Sequence, residues 1–192
     1  MHDALRARVT EILCNPHTRR IRFEIRSVRV EGGLFERVAA AVARGAIGVK
    51  VNPGVRRSSG GAIDAEYSSV RKHFSFAHAF LRPVFDEALV VHEAVHAGFD
   101  LDRIRMPAAD DEAAAYVAQC VYLMHVGLET APDDEPILAA AWPSAAAVFG
   151  GGAVSDELLP ALRDAIWASP GYEHLNADRE REYVRTGLPP GV

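Results

Sequence analysis

The stretch AAAYVAQCVYLMHV, residues 113–126, is apolar almost without interruption and stops at Gly127. A helix at a protein surface keeps one polar face, so a helical segment apolar on most sides has to be enclosed by other elements. At 14 residues it falls short of the roughly 18–20 that a membrane span requires, which makes it an internal helix of a folded domain. The rest of the chain must supply the layers around it. At 192 residues, folding buries about 70% of the surface that the unfolded chain exposes, so a full core needs neither disulfides nor metal for its bulk stability. The two cysteines, Cys14 and Cys120, stand apart and form no C-x-x-C, which argues against a disulfide framework, a zinc ribbon or a redox motif.

The covering elements can be read from apolar spacing. Residues 3–13 place Leu5, Val9 and Leu13 four apart, as in a helix that Asn15-Pro16 closes. In RIRFEIRSVRV, Ile21, Phe23 and Ile25 alternate with charged residues, and Val28 and Val30 resume after a slip of one, which predicts a bulge or two short strands. LFERVAAAVARGA reads as a helix with Gly45 just past its end, and IGVKV as a strand. AIDAEYSSV and KHFSFAH form a hairpin about Arg71-Lys72. A helix capped by Asp86 and ended by Gly98 follows, then the enclosed helix from about Asp110. Pro136 opens a helix that Pro143 breaks or kinks, Ser155 caps DELLPALRDAIWA, and ADREREYVRT is a last, mostly polar helix. Strands in the first half and helices in the second predict an α+β fold, a small mixed or antiparallel sheet packed on a helix pair, in one domain spanning 1–192.

Charge is divided unevenly along the chain. Residues 1–96 hold 15 Lys/Arg against 10 Asp/Glu, and residues 97–192 hold 6 against 16. Arg19, Arg20, Arg22, Arg26 and Arg29 are the densest basic group, but no nucleic-acid motif accompanies them. They read as a solvated strand face or as internal partners for the acidic half, so no nucleic acid and no membrane is expected as a partner.

One segment carries chemistry. In ALVVHEAVHAGFD, His92, Glu93 and His96 form His-Glu-x-x-His, and residues four apart share a helix face, so both imidazoles can reach one ion. Glu93 lies beside them, placed to take a proton from water rather than to bind the ion. Zinc suits two imidazoles and a carboxylate with one position left open. The plain alternative is a pair of surface histidines on an amphipathic helix. Glu112, which opens EAAAYVAQ among small alanines, is the preferred third ligand; Asp111 and Asp110 immediately precede it. Asp102 has the metzincin spacing of six residues after His96, but Phe99 stands where that turn needs glycine. Tyr116, one turn from Glu112, is the first choice as oxyanion donor, ahead of Tyr122, His125, Tyr172 and His174. His73 and His78 read as strand-face or surface residues.

VVHEAVHA followed by DDEAAAYVAQ resembles the gluzincin branch of zinc metallopeptidases, and is similar to the short single-domain bacterial forms found in polymorphic toxins and phage-repressor-cleaving proteases. The likeness covers residues 86–123. It implies a zincin-like fold with its metal-site core at about 62–127, His92, His96 and Glu112 as Zn2+ ligands, Glu93 as general base, and a peptide or protein substrate. The resemblance also implies an edge strand that pairs with extended substrate, for which KHFSFAH is the candidate. A zinc-binding regulatory or partner-binding module without catalysis is the alternative. The missing signal-peptide pattern makes the cytoplasm the default compartment.

Overall fold

Two 18-residue helices, each about 27 Å long, form the middle of the molecule: α4 (Phe85–Asp102) and α5 (Ala108–His125). Residues 90–100 of α4 are all buried, and from Ala109 to Leu123 of α5 only Tyr116 is partly accessible. The expected enclosure is therefore shared between two helices packed along their lengths. The computed structural model describes residues 2–55, 64–132 and 134–170, together with Tyr172 and Glu182–Tyr183.

The elements around this pair follow the sequence pattern closely. Helix α1 (His2–Cys14) buries Leu5, Val9, Ile12 and Leu13 and is followed by the short α2 (Pro16–Arg19), whose first turn Asn15 caps by accepting the Thr18 N–H. β1 (Arg22–Ile25) and β2 (Val28–Glu31) are two antiparallel strands, not one bulged strand. Their two-residue turn, Arg26-Ser27, has φ of 48° and 65°, the left-handed pair that suits the twist of a tight hairpin. Helix α3 (Gly32–Ala43) runs on to Gly45 at φ 77°. A mixed three-stranded sheet holds β3 (Gly48–Val51), β4 (Ala65–Ser68) and β5 (His73–Phe76) in the order β3-β5-β4, with β3 parallel and β4 antiparallel to β5. The short β6 (Met106–Pro107) precedes α5, and helices α6 (Pro136–Val148) and α7 (Leu159–Ala168) follow it. α1, α3 and β4 pack on α4, while α6 and α7 pack on α5. The fold is mixed α+β, and among the described residues no helix is long and apolar enough to cross a membrane.

Four expectations about element ends are corrected. Asp86 does not cap α4; it lies in the first turn, where its carboxylate accepts the Arg82 backbone N–H at 2.6 Å and the guanidinium at 2.9 Å. Gly98 does not end α4, which continues to Asp102. Instead it admits Leu34 of α3, since a Cβ at Gly98 would lie 2.4 Å from Leu34 Cγ and Cδ2. Pro143 does not break α6: it sits on the exposed face while Ile137, Leu138, Ala141, Ala145 and Val148 hold the helix to its neighbours. Ser155 does not cap α7, which starts four residues later so that Pro160 falls in the first turn, the one place where its missing N–H costs little. The expected last helix falls mainly outside the described residues. Its Glu182–Tyr183 forms β7, a two-residue strand antiparallel to β6.

Gly98 gives a test of this packing. Alanine has the better helix propensity by about 1 kcal/mol, yet Gly98→Ala is expected to destabilise the protein by about 1–3 kcal/mol through overpacking. In a Leu34→Ala background the penalty should vanish, which urea unfolding of the four members of the cycle measures.

Candidate metal centre

The helical spacing of His92 and His96 puts both rings on the side of α4 that meets α5, with the ring centroids 5.0 Å apart. Their Nε2 atoms approach to 3.2 Å. Across the helix interface, Glu112 in the second turn of α5 brings Oε2 to 3.4 Å from each Nε2. All three residues are buried, and together they form a group able to hold a metal ion. A tetrahedral ion with ligand bonds of about 2.0–2.1 Å has its ligand atoms about 3.3 Å apart. The three edges of this group fit that figure without rearrangement. A proton can bridge two of these atoms at a time; a cation meets all three.

The far side of each imidazole is also held. His92 Nδ1–H donates to Gln119 Oε1 at 3.1 Å, and His96 Nδ1–H donates to Asp111 Oδ1 at 2.8 Å. With the proton on Nδ1, the Nε2 lone pair of each ring faces the common point, the tautomer and orientation a metal ligand needs. Asp111 thus stands behind a histidine rather than at the point where the three ligand atoms converge. Gln119 follows Glu112 by seven residues, two turns along the same face of α5. Its signal in the sequence is an amide in an otherwise apolar run, which needs a buried partner.

Glu93 is buried at the same level, its Oε1 4.0 Å from His92 Nε2. Its Oε2 accepts the backbone N–H of Tyr67 from β4 at 2.6 Å, a contact with no trace in the sequence pattern. Tyr116 lies edge-on to the His92 ring, with centroids 4.5 Å apart and planes at 75°, and its hydroxyl is 2.8 Å from that of Tyr172. Burial, reinforced by Glu112, pushes both phenols above their ordinary pKa. Tyr172 therefore reaches the histidines only through Tyr116, whose ring lies against His92.

The remaining candidates are placed elsewhere. Asp110 is buried but bound by Arg163, with Arg26 Nε at 3.6 Å. Asp102 ends α4 in an ion pair with Arg37 at 2.6 Å. Tyr122 donates to Glu87 Oε2 at 2.6 Å and accepts from Asn15 at 3.2 Å, joining α4 and α5 to the cap of α2. His125, more than three turns beyond Glu112, packs on Phe149. His73 is half-buried in β5, its pKa lowered first by burial, and His78 is exposed. His174 lies outside the described residues. KHFSFAH is not an edge: β5 is the central strand, paired on both sides, and β4 is the edge that meets α4. Of the arginine group, Arg19 pairs with Glu36 at 3.0 Å and Arg26 with Asp156 at 2.7 Å.

Compared with models of known families, with curated proteins and with solved structures, the chain matches none. The functional reading therefore rests on the geometry of this site.

If the two Nδ1 acceptors orient the rings for an ion, removing them weakens binding without removing a ligand. Gln119→Leu and Asp111→Ala are each expected to lower zinc affinity about 10–100-fold, read by competition with a chelating dye. Unchanged affinity would show that the rings are held by packing alone.

Proposed function

We propose that this chain is a zinc-dependent peptidase of gluzincin type. His92, His96 and Glu112 hold the metal and Glu93 acts as the general base. The observation that carries the reading is the triangle of Nε2, Nε2 and Oε2 with edges of 3.2, 3.4 and 3.4 Å, built from two helices and closed behind by Gln119 and Asp111. Two imidazoles and a carboxylate favour zinc over the harder divalent cations, which prefer oxygen alone. The placement of a His-Glu-x-x-His helix beside a second helix and a small mixed sheet is compatible with a zincin-like arrangement.

Bound zinc supplies a Lewis acid that polarises a carbonyl and makes water more acidic. The protein's own groups do the rest. Glu93, with one oxygen tied to Tyr67 and the other facing the histidines, takes the proton from the attacking water and later hands it to the departing amine. β4 is the outer strand of the sheet beside Glu93, so an extended peptide added along it would pair through groups other than the Tyr67 N–H, which Glu93 already holds. In the hydroxyl pair Tyr116 and Tyr172 one O–H is spent on the other oxygen, and the second is the donor offered to the oxygen on which charge develops.

Elemental analysis of protein purified without added metal is expected to give about one zinc per chain, lost in His96→Ala and weakened in Glu112→Ala. Glu93→Gln should keep the zinc and lower peptide hydrolysis by about 10²–10⁴-fold. Zinc retained without any hydrolysis by the native chain would instead favour a non-catalytic zinc-binding module. Absence of metal together with failure to take up added zinc would overturn the metal site itself.

A further inference from the structure

Asp100 has no evident place in this chemistry, yet its side chain is completely buried, one turn beyond His96 on α4. A carboxylate buried there needs hydrogen-bonding partners. Its Oδ2 receives the Tyr67 hydroxyl at 2.6 Å and the ammonium of Lys72, which sits in the β4–β5 turn with φ at 49°. Tyr67 is the same residue whose backbone N–H holds Glu93. Glu93 and Asp100 are seven residues apart, two helical turns or about 10.5 Å along one side of α4. One tyrosine, lying along the helix, spans them with its main chain at one end and its hydroxyl at the other.

The strand register explains why the main chain can do this. Asp64 accepts a ladder bond from the Ala77 N–H, and Tyr67 stands opposite Phe74. In an antiparallel pair the inward and outward groups alternate, so the N–H of Tyr67 turns away from β5 towards α4. A slip of β4 by one residue would turn the Tyr67 side chain to the other face of the sheet, away from Asp100. The Tyr67–Asp100–Lys72 connection therefore forms only in the native register.

We infer that Tyr67 is a positioning residue for Glu93, with Asp100 and Lys72 as the clamp that fixes its height over α4. By occupying Oε2, it leaves Oε1 as the oxygen that faces His92. This inference rests on the peptidase reading, and the clamp itself can be tested without it.

The test uses zinc-loaded full-length protein and three variants: Tyr67→Phe, Lys72→Ala and Lys72→Arg. Lys72 is partly exposed, so its substitution leaves the packing of the core in place, and Lys72→Arg keeps the charge opposite Asp100. Tyr67→Phe and Lys72→Ala should keep one zinc per chain, speed amide hydrogen exchange at position 67 by about tenfold, and lower kcat roughly 10–100-fold with KM changed less than about twofold. Lys72→Arg should restore both exchange protection and kcat. Exchange that stays at the native rate, or a native kcat despite faster exchange, overturns the inference. Should native protein bind zinc and hydrolyse no peptide, the peptidase reading fails, and exchange at Tyr67 in Lys72→Ala and Lys72→Arg decides the clamp: about tenfold faster exchange in the first, restored in the second, supports it, and an unchanged rate removes it.

Discussion

Everything at the candidate centre depends on how closely α4 and α5 approach. The histidines come from one helix and the carboxylate from the other, so contacts of 3.2–3.4 Å among them set a tight limit on the distance between the helix axes. Packed helices lie about 8–10 Å apart according to the side chains between them. Here Ala94 and Ala97 of α4 and Ala113, Ala114, Ala115 and Ala118 of α5 are all fully buried, and side chains this small permit the near end of that range. Gly98 serves the same end on the opposite side, where α3 presses Leu34 into the space a Cβ would fill. The glycine and alanine content that makes this helix pair look featureless is what brings its few polar atoms together.

Those polar atoms are useful only if they point the right way, and orientation comes from residues outside the ligand set. Gln119 and Asp111 decide which nitrogen of each ring carries the proton, while Tyr67 decides which oxygen of Glu93 is occupied. Each acts through a single hydrogen bond in a buried setting, where an unmade bond is expensive. The centre is therefore organised as two layers, an inner one that converges on a point and an outer one that holds tautomers and carboxylates in register.

How much of this the sequence discloses follows from the range of the interactions. α1, α3 and the two hairpins are legible because the periodicity of Leu5, Val9 and Leu13, or the alternation of Phe23 with Ile25, is local. His92, His96 and Glu93 are legible for the same reason, being fixed by one turn of helix. Glu112 could be chosen among three neighbouring acids because its alanines foretell a close helix approach. The errors arise where distant partners override local preference. Gly98 reads as a stop until Leu34 is seen against it, Pro143 reads as a break until its exposed face is seen, and Asp86 reads as a cap until Arg82 claims it. Tyr67 could not be found at all, because its contribution to Glu93 is a backbone N–H that every residue but proline possesses.

Asp110 shows what this dependence means for assembly. Two residues before Glu112, it binds Arg163 from α7 and lies near Arg26 from the β1–β2 turn, gathering in one buried carboxylate parts of the chain separated by more than 130 residues. Contacts so remote in sequence form only after long loops have closed, and chains that rely on them fold slowly. The first turn of α5, and Glu112 just beyond it, is therefore tied through Asp110 to both the opening hairpin and the late helix. The opposing carboxylate of the candidate centre thus depends on parts of the chain far from the helix pair that displays it.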